Sequence, residues 1–107
     1  MRHFIVEATY LVPFEQIQGT IPRHRAWLQK GYDMGLFLCS GPQDPPVGGF
    51  LVARANSVDQ LKALFEEEPF NQGKLASYSF KEFQPVKRQA WLDPWISGEA
   101  QTPVPSP

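Results

Sequence analysis

The chain has little of what usually marks a specialised protein: one cysteine, two histidines and a near-cancelling set of charges. With Cys39 alone, no internal disulfide can form, so the fold must rest on its core. His3 and His24 are not at ligand spacing and no Cys/His cluster exists, so no metal is expected. No glycine-rich phosphate loop is present, and no cofactor is expected. Ten Lys+Arg against eleven Asp+Glu leave a net charge of −1, and without a basic field nucleic acid is an unsuitable partner. No apolar run approaches the roughly 18 residues of a membrane-spanning helix. The opening stretch Met1–Glu7 reaches a carboxylate after three apolar residues, too soon for a secretion signal. The expectation is a soluble protein of the reducing cytoplasm.

What is present is a single small domain with a long, proline-rich tail. A chain of this size buries only about 60–65% of its unfolded surface, so a thin core would gain from a second copy. Arg2 to Tyr10 alternates, with Phe4, Val6, Ala8 and Tyr10 on one face and His3, Ile5, Glu7 and Thr9 on the other, which is the period of a strand. After Pro13, Phe14–Gln18 forms a short turn. Thr20 then reads as an N-cap with Pro22 in the first helical turn, and Ile21, His24, Leu28 and Tyr32 recur as a core-facing stripe up to a C-cap at Gly35. Leu36–Ser40 is a continuous apolar run ended by Gly41-Pro42, predicted as a strand buried on both faces, with Cys39 as a small core hydrophobe.

The loop Gln43–Gly49 leads to a third strand, Phe50–Ala55, expected to pair with the second as an antiparallel hairpin. Ser57 with Gln60 fits a capping box for a second helix carrying Val58, Leu61, Leu64 and Phe65, closed by Glu66-Glu67-Glu68 before Pro69. Leu75–Val86 is a last strand whose alternation slips near Lys81-Glu82-Phe83, predicting a bulge or bend. The order β-α-β-β-α-β is the ferredoxin-like arrangement: an α+β domain, 1–86, whose four-stranded antiparallel sheet carries two helices on one face. Residues 87–107 form an extension. Trp91 and Trp95 need cover on this subunit or another, and Gly98–Pro107 is expected to be mobile. The sheet face without helices calls for a cover of its own, and a second copy supplies one by symmetry.

Three features bear on chemistry: His24 on the helix stripe, Ser40-Gly41-Pro42 ending the second strand, and Glu68-Pro69-Phe70 ending the second helix. Singly, each has an ordinary structural reading. As a set, Arg23-His24-Arg25-Ala26-Trp27-Leu28, Gly35–Pro42 and Glu68-Pro69-Phe70 resemble the YciI-like (YCII-related) family over Met1 to Val86. The resemblance implies a dimeric α/β barrel, related to muconolactone isomerases, that assembles as homodimers or larger. It implies that His24 and the acid of the Asp-Pro-aromatic turn form a polar pair in a cleft, with Ser40, Gly41, Pro42 and Phe70 around a small ligand of aromatic type. A characterised branch of the family dehydrochlorinates a chlorinated hydroxyhydroquinone.

The chain departs from the pattern in having Glu68 for aspartate, one methylene longer, and Arg25 for leucine, a change expected to be peripheral. Asp33 is a second candidate acid, about half a turn out of phase with His24. The chemistry implied is general acid–base catalysis of the lyase, isomerase or dehalogenase type. A neutral imidazole, ordinarily titrating near 6.5, takes a proton while a carboxylate fixes its tautomer, and backbone N–H groups near Ser40-Gly41 receive a developing oxyanion. The alternative is a cleft that holds a ligand without transforming it.

Overall fold

The computed structural model describes residues 1–98. In chain order it contains β1 (Arg2–Tyr10), α1 (Phe14–Ile17), α2 (Ile21–Asp33), β2 (Phe37–Pro42), β3 (Gly48–Ala55), α3 (Val58–Phe65), α4 (Pro69–Gln72), β4 (Ala76–Phe83) and α5 (Asp93–Ile96). The strands form one antiparallel sheet in the order β2-β3-β1-β4. The ladders place Val6 opposite Leu51 and Phe80, and Ala8 opposite Gly49 and Tyr78. One sheet face therefore presents Phe4, Val6, Ala8, Leu51, Ala53, Tyr78 and Phe80. Both α2 and α3 cover it, burying Trp27, Leu61 and Phe65 in one core with Phe4, Val6 and Leu51. No helix among the described residues is long and apolar enough to cross a membrane.

The local signals act largely as anticipated at the second helix. Ser57 Oγ accepts from the Gln60 backbone N–H at 3.1 Å, while Gln60 Oε1 accepts from the Asn56 N–H at 2.7 Å, so the return bond of the box falls one residue early. Thr20 makes no side-chain cap; a 3₁₀ turn, Gln18–Thr20, runs directly into α2 instead. On α2 the fully buried positions are Trp27 and Gly31, not the stripe Ile21–His24–Leu28–Tyr32, which is only half-buried. Gly31 is required there because a Cβ would overlap the Phe37 ring, 2.0 Å from its Cε2. The helix thus rests on the β2 end of the sheet through its 27/31 edge and leaves a gap under the 21/24/28 edge.

Four expectations are corrected. β2 is an edge strand, not one buried on both faces, and it runs on past Ser40 to finish at Pro42; Pro42 is tolerated because an edge strand has N–H groups with no ladder partner. Cys39 is exposed, since a register shift between Phe37 and Cys39 turns it to the face away from the helices, opposite Val52. The third strand starts at Gly48, two residues early, where Tyr10 N–H also bonds the Val47 carbonyl. No bulge occurs at Lys81–Phe83: β4 stays in register with β1 through Phe83. Its alternation falters because Glu82 lies beyond the helices' cover, where it pairs with Arg2 at 2.8 Å in solvent.

The uncovered sheet face is partly closed by the chain itself. Trp95 is only 4% exposed and packs on this subunit, 5.6 Å from the His3 ring, whereas Trp91 is 74% exposed. Trp95 Nε1 donates to the Gly35 carbonyl at 3.1 Å. The buried Arg54 donates to Gly35 O at 2.7 Å and to Trp95 O at 2.6 Å, and its guanidinium lies over the Trp95 ring at 5.1 Å. A buried guanidinium needs such acceptors. Of the tail expected to be mobile, residues 99–107 lie outside the described residues.

Candidate functional site

The gap under α2 is a cavity of about 450 Å³ between that helix, α4 and the sheet. Its walls are apolar: Val6, Ala8 and Leu51 from the sheet, Ile21, Trp27 and Leu28 from α2, and Phe14, Phe65 and Phe70 at the ends. Ser40, Gly41 and Pro42 close one side from the edge strand. The volume is that of a small-molecule site.

His24 and Glu68 meet at this cavity. His24 Nδ1 lies 2.6 Å from Glu68 Oε1, and the imidazole stacks on the Phe70 ring at 4.1 Å between centroids and 9° between planes. Phe70 is placed by its own segment. Glu68 is not the solvated end of α3 but the N-cap of α4, its Oε2 accepting from the N–H groups of Phe70 (3.0 Å) and Asn71 (3.2 Å). Pro69 at the first helical position sets this turn. The acid is fully buried, 0% exposed, so its charge is held by donors and not by water.

A fourth donor, the Tyr78 hydroxyl, makes a very short hydrogen bond to the same Oε2. Burial, together with the Glu68 charge and this bond, pushes the Tyr78 hydroxyl far up; burial and then Glu68 raise Tyr10. Both phenols therefore stay neutral at any ordinary pH. With Glu68 as a carboxylate accepting from all its partners, the hydrogen shared with His24 is the one on Nδ1. The lone pair of the neutral ring is then on Nε2, which has no protein partner among the described residues.

Asp33 is elsewhere. It is exposed and accepts from Gln29 Nε2 at 2.8 Å, one turn back on α2. Ser40 Oγ is 2.7 Å from the Tyr32 hydroxyl, which ties the edge strand to the helix. Arg25, read as peripheral, lines the cavity. Tyr78 and Tyr10 were not anticipated as site residues. Their signal was faint: both fall on the inward rows of their strands, where a phenol reads as core packing until a buried acid is found opposite. Among the described residues no group of three His, Cys, Asp or Glu is placed to hold a metal.

Comparison with known proteins agrees with this architecture. Among solved structures, the 5-chloro-2-hydroxyhydroquinone dehydrochlorinase TftG from Burkholderia phenoliruptrix, in complex with 2,5-dihydroxybenzoquinone, superposes with a TM-score of 0.64. The identity is 20%, over 76% of this chain and 92% of that one, which speaks for a shared fold alone. No curated protein matches the sequence. The profile of the YCII-related domain spans residues 1–84, from the first strand through the fourth and so around every residue of the cavity, and the chain belongs to that family.

Proposed function

We propose that the protein is a small-molecule enzyme in which His24 is the general base and Glu68 its positioning residue, acting on a hydroxylated, ring-shaped substrate. The observation that carries this reading is the pairing of His24 Nδ1 with a fully buried carboxylate beside an apolar, aromatic-lined cavity. His24 Nε2 takes a proton from a ring hydroxyl or ring carbon, and the Glu68 charge stabilises the imidazolium that forms. Loss of a halide or shift of a double bond then completes a lyase, dehalogenase or isomerase reaction. The dehydrochlorinase activity named for the TftG structure is the first to assay.

The functional unit in this reading is 1–86, with the later segment an extension docked by Trp95. It works in the cytoplasm as a homodimer formed through the sheet face away from the helices. There Phe50 and Phe83 are exposed and Ile5 and Val52 are half-buried. A monomer by light scattering at micromolar concentration would exclude the dimer.

The test of the function uses two probes: chloride release from 5-chloro-2-hydroxyhydroquinone, and ring hydrogen–deuterium exchange in 2,5-dihydroxybenzoquinone. The wild type accelerates at least one, and His24→Asn loses about 10²–10⁴ of that rate with unchanged circular dichroism. Binding of both compounds without any turnover by the wild type would make the cavity a ligand-holding site and refute the catalytic reading.

A further inference from the structure

We infer that Arg25 makes the cavity selective for ring compounds bearing an anionic group, a carboxylate or an ionised hydroxyl. The inference rests on the cavity being a substrate site, and it adds the charge of what enters. Among the described lining residues, the permanent charge comes from Arg25 alone; the rest are apolar, neutral phenols, Ser40 and the titratable His24. Arg25 is exposed while lining the cavity, which puts it at the mouth, one residue along α2 from His24.

Its guanidinium makes no hydrogen bond or ion pair among the described residues. The sequence shows why: three and four residues away on α2 stand Ile21, Pro22, Leu28 and Gln29, none of them acidic. An arginine fork held beside a largely apolar wall, with no partner of its own, matches a carboxylate or an ionised phenol in two-point fashion.

The buried acid does not cancel this preference. Glu68 Oε1 is taken by His24, and Oε2 by the N–H groups of Phe70 and Asn71 and the hydroxyl of Tyr78. No oxygen of that carboxylate is left to meet a ligand, and it has no exposed surface. The cavity thus has a cation at its mouth and a compensated anion behind its base. A ring with an anionic substituent would dock that group on Arg25 and direct its far edge toward His24 and Phe70.

The experiment compares 4-hydroxybenzoate with 4-hydroxybenzamide, two rings of nearly one shape that differ in charge, by calorimetric titration of the full chain. The wild type binds the acid about tenfold more tightly than the amide, near the lower end of what a charge-assisted hydrogen bond contributes. Arg25→Leu removes that advantage and leaves amide binding within about twofold, whereas Arg25→Lys keeps part of it. Arg23→Leu, an exposed cation on the same helix outside the cavity lining, leaves the advantage intact.

Equal affinity for acid and amide in the wild type overturns this inference and leaves the reading of the cavity standing. An Arg25→Leu protein that still prefers the acid, or an Arg23→Leu protein that loses the preference as fully, overturns it as well. Failure of both rings to bind overturns the inference together with the reading it rests on.

Discussion

Replacing Glu68 with glutamine should reverse the tautomer of His24, and the reason lies in how many donors converge on one oxygen. Oε2 accepts from Phe70 N–H, Asn71 N–H and the Tyr78 hydroxyl, while Oε1 meets only His24 Nδ1. A glutamine has one acceptor oxygen and one NH₂. Placing the NH₂ at the Oε2 position would set it against three donors in a fully buried site, at a cost of several kcal/mol. The oxygen therefore takes that position and the NH₂ faces His24, whose Nδ1 must become the acceptor. The proton moves to Nε2, the atom proposed to act as base.

Three bonds to a charged acceptor become bonds to a neutral one, each weaker by about 1 kcal/mol, while the cost of burying a carboxylate disappears. A net destabilisation of about 1–3 kcal/mol follows. Long-range ¹H–¹⁵N correlation spectra at about pH 8, above the ordinary imidazole range, read the tautomer directly. The wild type should show protonated Nδ1, and Glu68→Gln protonated Nε2 with a loss of about 10²–10⁴ in any His24-dependent rate. The same tautomer in both proteins would refute the donor-counting argument.

The docked extension should matter through one tryptophan only: Trp95→Ala should cost about 3–5 kcal/mol in denaturant unfolding, and Trp91→Ala less than about 0.5, so equal effects would show that the docking is wrong. Gly48→Ala should destabilise by about 3 kcal/mol or more, because its Cβ would fall 1.9 Å from the Ala8 carbonyl oxygen, a backbone atom that cannot step aside; a stable, active variant in thermal unfolding would contradict the tight β1–β3 contact. His3 supplies a pH dependence. Burial first, then the Met1 ammonium, and after these the Arg54 and Arg88 cations hold its pKa below the ordinary 6.5 against a backbone hydrogen bond to Ile96 that raises it, and its Nε2 has no partner. Because the unfolded chain takes up the proton more readily, the stability is full above about pH 6.5 and declines as pH falls below it, ceasing to change once the folded-state value is passed. His3→Leu should flatten that limb of the thermal-midpoint curve, and an unchanged limb would assign it to other groups.

The backbone plan was legible in the linear pattern because it depends on local periodicity: period two in Phe4–Tyr10, the Ser57/Gln60 cap, and breakers at Gly35 and Pro69. The set around His24 and Glu68 was readable only through its resemblance to the YCII-related family, because each piece alone has an ordinary structural reading. What the pattern could not carry was which strand lies at an edge, since an apolar run such as Leu36–Ser40 looks the same in the centre of a sheet and at its rim. Edge position follows from long-range pairing, and with it came the exposure of Cys39 and the extension of the strand through Gly41-Pro42. Likewise a helix stripe marks the side turned inward but not whether that side meets atoms or a void. The contact of Gly31 with Phe37 tilts the burial of α2 toward Trp27, so Ile21, His24 and Leu28 face a cavity instead of core. The four donors on Glu68 come from α2, α4 and β4, and only folding brings groups from separate elements onto one buried carboxylate.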